Sequence, residues 1–179
     1  MSVIAGFDTR WVYVLLVCLV AVERLVELAI ARRNSRWMQA RGGVEVGAGH
    51  YRWMVVLHVA FLLSSPLEVW LFERPFLPPL AVAMTGLLGV ATALRIWTLK
   101  TLGKRWTTRV ICLPGVPRIV GGPYRWLRHP NYLVVVLELL ALPLIHTAWI
   151  TAWVFSIANA VLLRVRIRVE NDALTRYSS

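Results

Sequence analysis

Gly122-Pro123-Tyr124-Arg125-Trp126-Leu127-Arg128-His129-Pro130-Asn131-Tyr132 concentrates two arginines, a histidine and two tyrosines just ahead of the apolar run 133–145. Polar groups at the mouth of an apolar segment are costly unless they bind something. The Gly-Pro opening marks a turn, and Pro130 suits the first position of a helix, where a missing N–H costs nothing. That helix start offers free backbone donors and a positive dipole end, which favour an anionic or strongly polar ligand. The plainer alternative is a basic juxtamembrane loop with interfacial aromatics. Further along, Asn159, Arg166 and Glu170 are spaced i, i+7, i+11 and share one helix face, while Arg164 and Arg168 project from another. Arg166 and Glu170 could form a surface ion pair worth about a few tenths of a kcal/mol. The alternative is that they return the helix's polar face to the Arg128-His129-Pro130 loop. The second reading is favoured, because this helix directly follows the span paired with the one the loop enters.

The elements that must position these groups are transmembrane helices. The chain has 179 residues, 58% of them hydrophobic, and a net charge of +11; its mean hydropathy is +0.63. Several apolar runs approach or exceed the roughly 20 residues that span a bilayer, which excludes a soluble domain. The reading is a single all-α, polytopic membrane domain of about five spans, at 11–31, 53–72, 76–99, 132–145 and 147–163. Residues 1–99 supply three N-terminal spans, and 100–179 supply the motif loop, a helical hairpin and the C-terminal helix. At about 1.5 Å per residue the fourth span covers only roughly 21 Å, so it must reach the interface, thin the bilayer or sit inside the bundle. The N-terminus lacks a cleavable signal pattern, so the first run is expected to be a retained helix.

Charge sets an expected orientation. Arg32, Arg33, Arg36, Arg41 and Arg52 lie between spans one and two, seven Lys and Arg from Lys100 to Arg128 between three and four, and Arg164, Arg166, Arg168 and Arg176 after span five. The other two connections carry only Glu73 and Arg74, and His146. The positive-inside rule places the three basic segments in the cytoplasm, with the N-terminus outside and the C-terminus inside. Topology thus accounts for the basic charge without nucleic acid, leaving anionic membrane lipids as attracted partners.

Other sites are not indicated. Cys18 and Cys112 fall in a span and a loop, so no disulfide is expected, and the histidines lack metal-ligand spacing. Val44-Glu45-Val46-Gly47-Ala48-Gly49 looks like the first motif of soluble Rossmann methyltransferases, but no sequence remains to build a parallel sheet around it. It reads as a turn-rich re-entry loop, with Glu45, His50 and Tyr51 available to line a cytoplasmic site. Glu23, Arg24, Glu27, Glu68, Arg95 and Glu138 lie within apolar spans. Such groups either pair to lock helices together or face a wet cavity.

Taken together, Gly-Pro-Tyr, Arg128-His129-Pro130-Asn131-Tyr132, a helical hairpin and Arg166-Ile167-Arg168-Val169-Glu170-Asn171-Asp172-Ala173-Leu174 resemble the isoprenylcysteine carboxyl methyltransferase family over residues 106–174. The compound pattern is fairly specific; Arg-His-Pro-x-Tyr alone is shared with NADPH-dependent membrane sterol reductases. The resemblance implies a cytoplasm-facing S-adenosylmethionine pocket contacted by Tyr124, His129, Pro130, Asn131, Tyr132 and Glu170. It also implies backbone contacts from Arg118 and Ile119, and Arg166 at the acceptor. Arg166 and Glu170 are the catalytic candidates. The family usually carries two glutamates where this chain has Glu170-Asn171, and often a glycine where it has Leu133 or Val134.

The chemistry suits these groups. Methyl transfer from a sulfonium is an in-line displacement in which positioning supplies much of the rate. An acceptor ionised at neutral pH needs no base, whereas a phenol needs one. Glu23-Arg24-Leu25-Val26-Glu27, Arg32-Arg33-Asn34, His50-Tyr51, Leu57-His58 and Glu68 resemble a bacterial subgroup of the family associated with type III polyketide synthases. That subgroup O-methylates long-chain alkylpyrones or alkylresorcinols, and the likeness shifts the expected acceptor from prenylcysteine to a lipophilic polyketide enol or phenol. Carboxyl methylation of a prenylcysteine-like substrate and NADPH-dependent reduction remain the alternatives. A non-enzymatic scaffold or small transporter ranks last, since no internal repeat supports it.

Overall fold

The computed structural model describes residues 3–4 and 7–177, apart from the side chains of residues 3, 4, 7, 48 and 50. Five helices dominate: α1 (Thr9–Gln39), α2 (Ala48–Leu71), α3 (Pro78–Leu102), α4 (Pro130–Leu144) and α5 (Trp149–Tyr177). Two short antiparallel ladders complete it, one pairing β1 (Val3–Ile4) with β2 (Phe7–Asp8), the other pairing β3 (Val44–Val46) with β4 (Val110–Cys112).

The chain is an all-α membrane protein. Residues 51–71, 78–105 and 149–177 form three helices long and apolar enough to cross a bilayer. Helix α1 is longer still, at 31 residues, but Glu23, Arg24 and Glu27 interrupt its apolar run. Its outer face carries Trp11, Leu15, Leu19 and Leu25, each at least 59% exposed; a contiguous apolar surface of this kind fits lipid rather than water. Its inner face buries Tyr13, Val17, Glu27, Ala31, Asn34 and Met38.

Helix α4 resolves the problem of its own length by lying inside the bundle. Ten of its fifteen residues are buried, among them Val134, Leu139, Ala141 and Leu142. It packs most extensively on α3, where Ala81 and Ala91 are also buried. Small residues let helix backbones approach closely where lipid removes the hydrophobic drive for association. Pro143 lies in the last turn of α4, and Thr147, at φ 55°, begins the return into α5.

At this end of the bundle Glu68 of α2 caps α5. Its carboxylate accepts from the backbone N–H groups of Ile150 and Thr151, at 3.1 and 2.6 Å, and meets Arg74 at 2.7 Å. Two of the orphan donors of a helix start are thereby satisfied by a side chain from a neighbouring helix. Glu68 is therefore a helix cap.

The opposite end carries the basic connections. Residues 44–49, read as a turn-rich loop, contain a real strand: Val44, Glu45 and Val46 pair with Cys112, Ile111 and Val110. Gly47, in the left-handed region, then starts α2. The local order is strand, glycine, helix, but the ladder is antiparallel and two-stranded, so no dinucleotide-type crevice exists there. The C-terminal end of α5 packs Ala173, Leu174 and Tyr177 on this ladder. Asn34 holds the α3 exit, donating to the carbonyls of Gly103 at 3.2 Å and Trp106 at 2.8 Å.

Candidate functional site

Helix α4 begins as its residue types require. Pro130 is the first helical residue after His129. The approach is a 3₁₀ turn, Gly122–Arg125, with Gly122 at φ 58° and its Cα facing the Thr101 side chain on α3 so closely that a Cβ would collide with it. Both the sign of φ and the space demand glycine. Gly122→Ala is expected to cost more than about 1 kcal/mol of stability and to shift the loop, which a lowered thermal midpoint in detergent would register.

The face predicted for α5 is the one that turns inward. Asn159 and Arg166 are buried at 3% and 6% exposure, and Arg164 and Arg168 are exposed. Arg166 and Glu170 do not pair directly, however. Tyr132 from α4 stands between them: its hydroxyl donates to Glu170 Oε2 and accepts from Arg166 Nε at 2.9 Å. Glu170 Oε1 lies 3.6 Å from His129 Nδ1, and the His129 ring stacks on Tyr132 with centroids 5.1 Å apart. The remaining donors of Arg166 reach the Thr108 carbonyl at 2.8 Å and Met54 Sδ at 3.0 Å. A thioether is a weak acceptor, so Nη1 is the donor most easily redirected to a ligand.

Two buried polar atoms at the start of α4, His129 Nε2 and Asn131 Oδ1, have no hydrogen-bond partner among the described residues. Tyr124 belongs to the same neighbourhood: burial first, and then the Glu170 carboxylate, hold its phenol well above the ordinary range. Burial, followed by Glu170, also pushes the Cys112 thiol up, so neither group is primed as a nucleophile. Arg118 is exposed and Ile119 half-buried, and no hydrogen bond or ion pair joins either to the Tyr132 group. Of the residues named from the sequence, the fold gathers Tyr124, His129, Pro130, Asn131, Tyr132, Arg166 and Glu170, while Arg118 and Ile119 lie on the irregular stretch 113–121 that leads into the Gly122 turn.

Behind Arg166 opens a cavity of about 400 Å³, mostly apolar, whose polar wall includes Arg24, Glu27, His58, Arg95, Asn131 and Arg166. Leu25 of α1 and Leu63 of α2 also line it. Tyr51 lines it as well and accepts from Thr108 Oγ1 at 3.3 Å, while Glu45 pairs with Arg109 at 3.0 Å instead of facing the cavity. The His50 side chain lies outside the described residues. Met54, Trp106 and Thr108 were not singled out from the sequence; they are apolar or plain residues whose place in the site comes from tertiary packing alone.

The intramembrane charges pair with one another and border the cavity at once. Arg24 meets Glu27 at 2.7 Å and Glu138 at 3.4 Å, and Arg95 meets Glu27 at 3.0 Å and also Glu138. Cys18 and Cys112 are free, and no group that could hold a metal occurs among the described residues.

An all-helical bundle with a motif loop, a polar last helix and an internal, mostly apolar cavity defines an integral membrane protein. Residues 84–176 match the model of the isoprenylcysteine carboxyl methyltransferase (ICMT) family, and the chain belongs to that family. Membership makes it a membrane methyltransferase, of a family whose members use S-adenosylmethionine. It is 40% identical over 170 residues to the uncharacterized protein YpbQ of Bacillus subtilis (strain 168), covering 92% of this chain and 97% of that one. It is 26% identical over 159 residues to an uncharacterized protein of Haemophilus influenzae, covering 88% and 91%. No solved structure matches.

Proposed function

We propose that the protein transfers a methyl group from S-adenosylmethionine to an oxygen of a lipophilic acceptor, a long-chain polyketide enol or phenol of the alkylpyrone kind. One observation carries this reading: Arg166 sits in the wall of the apolar cavity and is joined through Tyr132 to Glu170 and His129. The cavity supplies a place for an alkyl tail, and a lateral opening between α1 and α2, both of which line it, would supply a route from the bilayer. Arg166 turns Nη1 to the acceptor oxygen and stabilises it as an anion.

The residues at the α4 start suit the cofactor. His129 Nε2 and Asn131 Oδ1 are buried and unpartnered, Glu170 is an acidic acceptor for an ammonium or hydroxyl, and Tyr124 and Tyr132 offer rings for stacking. When bound, S-adenosylmethionine supplies an electrophilic methyl on a sulfonium. Arg118, exposed, and Ile119, half-buried, would add backbone contacts to the cofactor. Five spans with the N-terminus outside put this end of the bundle in the cytoplasm, where the cofactor is made, and a type III polyketide synthase is the natural source of such acceptors.

The test is titration of the protein in nanodiscs with S-adenosylmethionine and separately with NADPH, followed by labelled-methyl transfer to lipid extracts. Saturable binding of the first alone, with label on an alkylpyrone-like product, is expected. Binding of NADPH alone would move the protein to the reductases, and label on a carboxylate would install a prenylcysteine-like acceptor instead.

A further inference from the structure

His58 stands between two cavities. It lines the large one, shared with Arg166, and it lines a second, of about 20 Å³, together with Arg24 and Glu138. A space of that size with three polar groups on its wall accommodates a single water molecule. The imidazole's orientation is fixed: Nδ1 lies 2.7 Å from the Met54 carbonyl, one helical turn earlier. A carbonyl can only accept, so Nδ1 carries the proton and Nε2 of the neutral ring presents its lone pair. Met54 is also the residue whose sulfur meets Arg166. One turn of α2, roughly 6 Å of rise, therefore separates the level of the acceptor-binding arginine from that of a histidine with a free basic nitrogen.

The charged groups that line the two cavities with this imidazole come from four helices: Arg24 and Glu27 from α1, Arg95 from α3, Glu138 from α4 and Arg166 from α5. The carboxylates Glu27 and Glu138 are each held by both Arg24 and Arg95. They form a fixed, desolvated ring of charge next to a group that could take up a proton.

We propose that His58 is the general base for acceptors whose hydroxyl is protonated at neutral pH. Its Nε2 removes the hydroxyl proton as the acceptor oxygen forms its bond to the methyl carbon. The carbon–sulfur bond breaks, and its electron pair stays on sulfur. The imidazolium is stabilised by the Glu138 side of the charge ring, and its proton leaves through the small cavity beside Arg24 and Glu138. This rests on the methyltransferase reading above and adds to it the residue that lets a phenol react.

The experiment compares labelled-methyl transfer by the wild type and by His58→Gln, with a long-chain alkylresorcinol and with a long-chain 4-hydroxypyrone already ionised at neutral pH. Rates are followed across pH. His58→Gln is expected to lower kcat toward the resorcinol by about 10²-fold or more, and to remove the titration that the wild-type rate shows with that acceptor. The loss toward the pyrone is expected to be at least ten times smaller. Equal losses toward both acceptors would make His58 a structural residue and overturn the proposal, as would full turnover of the resorcinol by the variant. Wild-type protein that binds S-adenosylmethionine but methylates neither acceptor, and labels a carboxylate, would overturn the acceptor class and this role together. A failure confined to His58 leaves wild-type methylation of both acceptors intact.

Discussion

Arg166→Ala is expected to reduce labelled-methyl transfer by at least roughly 10²–10³-fold, the loss typical of removing one preorganised donor from an active site. The argument follows from its partners. The guanidinium spends Nε on the Tyr132 hydroxyl and Nη2 on the Thr108 carbonyl, so it is fixed before any acceptor arrives. Removing it frees the Tyr132 hydroxyl and takes away the donor that this side chain gives the half-buried Thr108 carbonyl. Arg166→Lys keeps a charge but loses the fork, and is expected to recover only a small part of the rate. Glu170→Ala and His129→Ala should lose transfer by a comparable factor. All four proteins should remain inserted and helical by circular dichroism. Retained turnover in Glu170→Ala and His129→Ala would undo the assignment of the site.

Tyr132→Phe tells whether these residues act as one unit. The hydroxyl is the hydrogen-bonded link between Arg166 and Glu170, since it accepts from one and donates to the other. Groups that act together give strongly non-additive losses. Adding Tyr132→Phe to Arg166→Ala should therefore cost little beyond Arg166→Ala alone, and a full multiplicative loss would mean that the tyrosine works separately, through its ring.

Much of this arrangement was legible in the chain. Helical spacing of Asn159, Arg166 and Glu170 was enough to define the inward face of α5, and Gly-Pro followed by His-Pro was enough to place a turn and a helix start. Three features were not. That Tyr132 stands between Arg166 and Glu170 depends on how α4 packs on α5, and the pair is 38 positions apart for Glu170 and 34 for Arg166. The strand at Val44–Val46 is three residues long, too short to show an alternating pattern against its glycine-rich flanks. The role of Glu68 was hidden because the donors it satisfies lie 82 and 83 residues away. Spacing discloses a face; it does not disclose what the face meets.

The same limit applied to the ionisable residues in the spans, for which pairing and cavity lining were both open, and the second large effect is expected there. Arg24 and Arg95 face Glu27 and Glu138 in a ring of two cations and two carboxylates, Glu23 also meeting Arg24 at 3.2 Å, with Arg95 at 5% exposure and Glu138 at 9%. Arg95→Met removes one cation and strands carboxylate charge in a low-dielectric interior. Breaking a buried pair by removing one partner costs about 3–5 kcal/mol, so this variant should unfold at a much lower denaturant concentration or temperature in detergent. Arg95→Met combined with Glu138→Met removes one charge of each sign and leaves Arg24 with Glu27 at 2.7 Å. Well-packed apolar replacement of a balanced pair is often neutral in stability, and residues in one network are expected to couple. The double variant should therefore recover most of the stability lost by the single one. Recovery of stability without recovery of resorcinol methylation would show that the ring is kept for what it does to His58 rather than for what it does to the fold. A double variant as unstable as Arg95→Met would instead mean that the ring's packing, and not its charge balance, holds these helices together.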